Sequence, residues 1–212
     1  MKTIALLLFS FLFLSCSQTP TQSDVEKADY LYNQTIPYYL NGDLDAAEKG
    51  FLAVAEKYPF YTSAQIMLGK TYFFKNDFVK AKKYLDLALE HDPNVIAYIW
   101  LAKIAMIDKK MDNALTLLHK ALNLDHSHPL THYELAKFYR ATQQFDKAIY
   151  HYNFAIAYED MYSDMRFDLA TLYFDLGLID QAKKMLQVLL NTPFVSDKMK
   201  QKVDIMLKNM EK

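Results

Sequence analysis

Alanine recurs through this chain at an almost constant interval, and this regularity constrains the fold more than any other feature of the sequence. Intervals of 34, 33, 34 and 34 residues separate Ala47, Ala81, Ala114, Ala148 and Ala182. Four residues after each alanine stands a large side chain, in order Phe51, Leu85, Leu118, Tyr152 and Leu186. A spacing of four places two side chains on one helix face, so the pattern predicts five repeated units, each packed through such a face.

A second helix is predicted before the alanine helix of each unit. Small residues at matching positions let the facing helix approach closely, and they are Gly69, Ala102, Ala136 and Ala170. The predicted helices span residues 24–40, 44–57, 62–75, 78–90, 95–108, 111–123, 129–141, 145–157, 163–175 and 179–190, with an eleventh over 196–210. Because 212 residues include only 4 Gly and 6 Pro, a fold with many strands and turns is disfavoured.

The repeated elements resemble the tetratricopeptide repeat. The large-small pair and its tyrosine occur as Leu68-Gly69 with Tyr72, Leu135-Ala136 with Tyr139, and Leu169-Ala170 with Tyr173. The resemblance implies an all-α, right-handed superhelical solenoid of about five helix-turn-helix units, followed by a C-terminal capping helix in residues 196–212. The implied repeats cover residues 24–61, 62–94, 95–128, 129–162 and 163–195. This family binds proteins or peptides rather than catalysing reactions.

Repeat 1 departs from the pattern at two positions. Gln34-Thr35 stands where the large-small pair is expected. Pro37 lies inside the first helix, where proline removes a backbone hydrogen bond and disfavours the helical conformation of the residue before it. We therefore expect a kink or a break near residues 33–37.

The N-terminal residues have the layout of an export signal. The apolar run over residues 4–14 is about 11 residues long, shorter than the ~20 that span a bilayer. The segment Phe13-Leu14-Ser15-Cys16, followed by polar residues, resembles the lipobox of bacterial lipoproteins. This resemblance implies removal of residues 1–15, acylation of Cys16 and a flexible tether over residues 16–23. The non-acidic Ser17 implies the outer membrane, with the protein facing the periplasm. The alternative is an ordinary secretory signal with an incidental cysteine.

A second set of side chains on the first helices is aromatic and basic, and we call it the inner stripe. Its members are Tyr32, Tyr39, Ile66, Lys70, Phe73, Ile99, Lys103, Met106, Tyr133, Lys137, Arg140, Phe167 and Phe174. The resemblance to tetratricopeptide proteins implies that this stripe lines a concave groove. Aromatic residues away from the core face indicate either a partner site or contacts between successive repeats. The aligned lysines favour a protein or extended peptide with acidic groups or a terminal carboxylate.

Several classes of function are disfavoured by the sequence. With 24 Lys and Arg against 25 Asp and Glu, the net charge of −1 does not indicate nucleic-acid binding. The chain contains no Gly-rich phosphate loop, HExxH motif or nucleophile elbow, so we predict no catalytic residues, cofactor or small-molecule substrate. His128 and His132 have a metal-ligand spacing and His126 lies nearby, but they fit a polar loop leading into repeat 4 better. No metal site is predicted.

These features predict a non-catalytic interaction scaffold attached to the bacterial cell envelope through a lipid. Size and layout resemble tetratricopeptide lipoproteins that assist outer-membrane β-barrel assembly or act as pilotins for pilus secretins. An adaptor that regulates cell-wall hydrolases is the alternative, and an enzyme or a histidine-based metal binder is a remote one.

Overall fold

The computed structural model describes residues 19–158, 163–193 and 195–211. In these ranges the regular structure consists of eleven α-helices, without strands. They are α1 Gln22–Leu40, α2 Leu44–Lys57, α3 Thr62–Phe74, α4 Phe78–His91, α5 Val95–Ile107, α6 Met111–Leu124, α7 Pro129–Ala141, α8 Phe145–Tyr158, α9 Ser163–Asp175, α10 Ile179–Asn191 and α11 Asp197–Asn209. Every predicted helix bound lies within two residues of the observed one. None of these described helices is long and apolar enough to cross a bilayer.

The helices pack in sequential order, each against its neighbours along the chain, which makes a solenoid. All five repeated alanines are fully buried, and the four small residues predicted to face them are buried as well. The buried apolar residues form four clusters that follow one another along the solenoid, and α11 contributes Met199, Val203 and Met206 to the last of them.

The turns between the two helices of each unit share one backbone geometry. The residue at the same repeat position has a positive φ every time: Gly42 at 78°, Asn76 at 61°, Lys109 at 60°, Gln143 at 59° and Gly177 at 73°. Glycine and asparagine tolerate this left-handed conformation, whereas lysine and glutamine adopt it at a cost. The repeat thus imposes the turn even where the local sequence does not favour it.

In repeat 1 the first helix carries the larger side chain, Thr35, and the second helix carries the small residue, Gly50. Thr35 is only 5% exposed and donates its hydroxyl to the carbonyl oxygen of Leu31 at 2.9 Å. It faces Gly50 of α2, where an added Cβ would lie 2.5 Å from Thr35 Cγ2. In repeat 2 the glycine lies instead on the first helix, where an added Cβ at Gly69 would lie 2.5 Å from Leu85 Cγ.

Two expectations about the N-terminal region need correction. α1 continues through Pro37 to Leu40, so the predicted break does not occur, and the alternative, a kink near residues 33–37, stays a prediction. Pro37 lies in the last turn, where its own carbonyl accepts the backbone N–H of Asn41. Residues 22 and 23, which the sequence assigns to a flexible tether, are instead helical, because α1 begins at Gln22 and Thr21 caps it by accepting the N–H of Asp24. Cys16 itself lies outside the described residues.

Candidate partner-binding groove

The inner stripe lies on the first helix of every repeat, on α1, α3, α5, α7 and α9. Ile66 and Ile99 are buried, with 9% and 3% of their surface exposed, and the other members are half-buried. The two isoleucines therefore belong to the core and offer little surface to a partner. The half-buried members divide their surface between neighbouring side chains and solvent.

Trp100 forms the centre of the aromatic part of the groove, although it is not among the residues that the sequence predicts. Its ring centroid lies 4.9 Å from that of Phe73 and 5.5 Å from that of Phe74, both in edge-to-face geometry. Lys103 Nζ lies 4.1 Å from the same centroid, within range of a cation–π interaction. The single tryptophan of the chain thus joins α3 to α5.

Lys70 lies between two aromatic rings and has no carboxylate partner among the described residues. Its Nζ is 5.2 Å from the Tyr39 ring centroid and 5.8 Å from that of Trp100. Burial, and then the positive charge of Lys103, lower the pKa of Lys70. An ammonium that is partly desolvated without an opposite charge is well placed to bind an incoming carboxylate.

The other two aligned lysines share one acid. Lys103 Nζ lies 3.4 Å from Glu134 Oε1, and Lys137 Nζ lies 3.2 Å from Glu134 Oε2. Glu134 is 4% exposed, so its charge is largely inaccessible to a partner. The predicted row of three cations thus consists of Lys70, which has no acid among the described residues, and the pair Lys103 and Lys137, which is partly neutralised.

Two polar stripe residues of repeat 4 are bound by acids of repeat 5. The Tyr133 hydroxyl donates to Asp168 Oδ2 at 2.7 Å, and Arg140 Nη2 donates to Asp175 Oδ2 at 2.7 Å. Burial raises the pKa of both Tyr133 and Asp168. Each pair joins α7 to α9, which makes this half of the groove a structural contact between repeats.

The remaining stripe residues pack mainly between helices. The Tyr32 ring lies 5.5 Å from Phe51 and 5.4 Å from Tyr61. Met106 packs against the central core, and Phe167 and Phe174 pack against the core beneath α11. The features that favour a partner are therefore concentrated in repeats 1 to 3, around Lys70 and Trp100.

The sequence analysis did not assign Trp100, Glu134, Asp168 or Asp175 to the groove. Trp100 offers a weak signal, since it is a unique residue directly after the stripe residue Ile99. The acids offer none, because charged residues are common on helix surfaces and only the packing of α7 against α5 and α9 pairs them with stripe residues.

The histidines near the start of repeat 4 do not gather around a common point. His132 Nδ1 lies 2.9 Å from Nδ1 of His151 in α8, whereas His128 Nδ1 lies 3.3 Å from the Thr131 hydroxyl. Among residues 19–158, 163–193 and 195–211, no group of three potential ligands could hold a metal ion.

Stacked helical pairs with a half-buried aromatic and cationic groove define a helical-repeat interaction scaffold. A family model described as a tetratricopeptide repeat-like domain matches residues 3–161, and a second, described as a tetratricopeptide repeat, matches residues 140–193. The chain therefore belongs to the tetratricopeptide repeat family, whose members are generally non-catalytic scaffolds for protein or peptide partners. No curated protein is close enough in sequence to match the chain.

Solved structures share the fold at low sequence identity. A thermophilic TPR protein of Thermus thermophilus superposes with a TM-score of 0.77 at 19% identity, covering 85% of this chain and 98% of the other. PilF of Pseudomonas aeruginosa gives 0.71 at 13% identity, with coverages of 84% and 82%. MamA of Desulfovibrio magneticus RS-1 gives 0.59 at 16% identity, with coverages of 78% and 94%.

Proposed function

We propose that the groove of repeats 1 to 3 binds an extended segment of a partner protein and that an acidic group of this segment pairs with Lys70. The observation that carries the proposal is the position of Lys70, half-buried between Tyr39 and Trp100 and without an acid among the described residues. An arriving carboxylate would offset the desolvation of the ammonium, and the rings would supply apolar contact.

We further propose that the scaffold works in the bacterial cell envelope as a lipoprotein of the outer membrane, facing the periplasm. The support comes from the sequence: the apolar segment, Cys16 after Leu14-Ser15, and a non-acidic Ser17. In this setting a role in β-barrel assembly or in secretin biogenesis agrees best with the size and layout of the chain. Regulation of cell-wall hydrolases is the alternative role.

Site-specific photocrosslinking in intact cells tests the groove. A photoreactive amino acid at Phe73 should capture a discrete partner, whereas the same amino acid at Tyr150, a 61% exposed position on α8, should not. Mass spectrometry of the product then distinguishes barrel components, a secretin and hydrolases.

The variant Lys70→Met should weaken the Phe73 crosslink, and Lys137→Met should weaken it less, because Lys137 is paired with Glu134 within the protein. Equal capture at Phe73 and Tyr150, or no effect of Lys70→Met, would contradict the groove proposal.

A further inference from the structure

The first described helix, α1, forms the N-terminal end of the solenoid and packs mainly against α2. Its outer side carries two exposed tyrosines, Tyr30 and Tyr38, which are 64% and 50% exposed. Lys27 and Gln34, also exposed, continue the series at intervals of three or four residues, so the four side chains share one helix face. We call these four residues the end face. At the opposite end of the solenoid, lysine and aspartate predominate among the exposed residues of α11.

Two neighbouring clefts lie beside the end face. The first, of about 370 Å³, is lined by Lys27 and Tyr30 from α1 and by Lys57 and Tyr58 from the end of α2. The second, of about 500 Å³, shares Lys27, Lys57 and Tyr58 with the first and is also lined by residues 19–21. The start of the described chain therefore borders the same space as both lysines.

The charges of the clefts are of both signs. Lys27 and Lys57 are exposed and have no carboxylate partner among the described residues. Asp24 accepts the Thr21 hydroxyl at 2.6 Å, and Glu26 accepts the side-chain amide one turn earlier at 3.1 Å. The two ammonium groups are thus available to a negative ligand. Because both acids keep their charge, the clefts are not strongly cationic, and a ligand that carries both signs suits them.

The proposed lipid anchor would hold these clefts at a bilayer surface. Thr19 follows Cys16 by three residues, and a chain of this length spans at most about 11 Å. Acyl chains on Cys16 would keep that residue at the membrane–water interface, whose polar layer is about 5–7 Å thick on each side of the bilayer. The clefts would therefore lie within reach of the lipid headgroups. This step rests on the proposed lipidation.

We propose that the clefts and the end face bind the headgroups of the phospholipids around the anchor. Lys27 and Lys57 pair with lipid phosphates, and Glu26, which lines the first cleft with them, accepts the ammonium of phosphatidylethanolamine. Tyr30 and Tyr38 lie at the interface, the region of a membrane in which tyrosine is enriched. Because the helices pack in sequential order, this contact directs α11 away from the membrane.

Lysine acetylation of the native protein tests the proposal. Protein extracted from cell membranes is placed either in phosphatidylcholine–phosphatidylethanolamine vesicles or in dodecyl maltoside micelles, which hold the anchor but contain no phosphate. A membrane-impermeant acetylating reagent is added, and mass spectrometry measures the rate at each lysine. Lys27 and Lys57 should react about tenfold more slowly in vesicles than in micelles, since two lysines near a membrane surface contribute together. Lys200, exposed on α11, should react equally in both.

A matched pair of variants tests whether the two lysines act together. Lys27→Gln should reduce the protection of Lys57 about fivefold, because one of the two phosphate contacts is lost. Lys198→Gln removes an exposed lysine from the last helix instead of the first and should leave the protection of Lys57 unchanged. Both positions are exposed, so the melting temperature should stay as in wild type.

Three results would overturn the proposal. The first is an equal rate at Lys57 in vesicles and micelles, or the same protection at Lys200 as at Lys57. The second is protection that requires phosphatidylglycerol, which would mean that the clefts select net negative charge. The third is a dimer in sedimentation velocity that Lys27→Gln or Tyr30→Ser dissociates, which would identify a second copy of the chain as the occupant.

The anchor and the headgroup contact can fail separately. An unacylated Cys16 in the extracted protein would refute the lipidation alone. A maleimide lipid coupled to that thiol would then supply the anchor, and the ratio of the rates at Lys57 in vesicles and micelles would decide the headgroup contact as before.

Discussion

His132 and His151 face each other through their Nδ1 atoms, which are 2.9 Å apart. His132 Nε2 lies 2.9 Å from the carbonyl oxygen of His126, and because a carbonyl only accepts, this nitrogen carries the hydrogen. In the neutral pair His132 Nδ1 is therefore the acceptor and His151 Nδ1–H the donor. Phe154 stacks on His132 and Tyr139 on His151, so both imidazoles are held in place.

We expect this histidine pair to make the protein less stable in mild acid. Burial is the main cause that lowers the pKa of His132 and of His151, the latter to about 4. The folded state thus binds fewer protons than the unfolded state, whose histidines titrate near 6.5. This contribution to the free energy of unfolding is complete above about pH 6.5 and is lost as the pH falls towards 4. Asp125 opposes the shift at His132, whereas His128 and His119 add to the shifts at His132 and His151 respectively.

Urea unfolding at pH 7.5 and at pH 5.0 measures the effect. His151→Gln should reduce the difference between the two pH values, because an amide can donate to His132 Nδ1 and does not titrate. His91→Gln, at an exposed position, should leave the difference as in wild type. Equal stability of the wild type at both pH values would contradict the assignment.

Removing the charge of Glu134 should destabilise the fold. Glu134→Gln leaves Lys103 and Lys137 half-buried without their shared acid, and we expect a loss of about 1–3 kcal/mol in the free energy of unfolding. Lys137→Gln should cost less, since Lys103 still compensates the acid. Glu90→Gln, on the exposed face of α4, serves as the control and should change stability little. An unaltered urea midpoint for Glu134→Gln would show that the three charges contribute nothing net.

Gly50→Ala should lower stability although alanine favours helices by about 1 kcal/mol. The new Cβ would lie 2.5 Å from both Cγ2 and Oγ1 of Thr35, and overpacking of this kind costs about 1–3 kcal/mol. In the double variant Thr35→Gly/Gly50→Ala the colliding atoms are absent, so its loss should be smaller than the sum of the single losses. Thermal unfolding followed by circular dichroism measures all three. Additive losses would mean that Thr35 and Gly50 do not share this space.

Cys16→Ala should move the protein from the membrane fraction to the soluble fraction. Several acyl chains on one residue anchor a protein stably, whereas a single chain does not. Cell fractionation measures the change, and Ser17→Ala is the control that should remain membrane-bound. Mass spectrometry of the native protein provides the direct test, and an unmodified thiol at Cys16 or a mature N-terminus elsewhere would refute the lipoprotein assignment.

The repeat pattern was sufficient to predict the fold because the residues that recur are core residues. Ala114 and Leu118 are fully buried since their spacing of four places them on the face where the helices meet. A residue at such a position serves only to pack two helices together. The repeated residues therefore predict where the helix lies, which helix it packs against and which of its faces is buried.

The groove was harder to predict because a residue of the inner stripe can either face a partner or contact the next repeat. Lys70 and Lys103 occupy equivalent positions, and only the course of α7 beside α5 places Glu134 near one of them and not the other. The same applies to His132, whose sequence neighbour His128 suggested a metal pair, while the residue that it contacts is 19 positions away. Contacts between repeats depend on the direction of each side chain and on the distance between packed helices. The spacing of residues within one helix predicts neither of these.

The exchange of sizes between Thr35 and Gly50 limits how the gene can change by internal recombination. Repeated coding segments recombine unequally, and a crossover in a turn would join the first helix of one repeat to the second helix of another. One product would set Thr35 against Tyr84, the counterpart of Gly50 in repeat 2, and would place two bulky groups in one space. The reciprocal product would set Gly69 against Gly50 and leave that space empty. We therefore expect a library of shuffled repeats from this chain to retain residues 24–61 as an intact block.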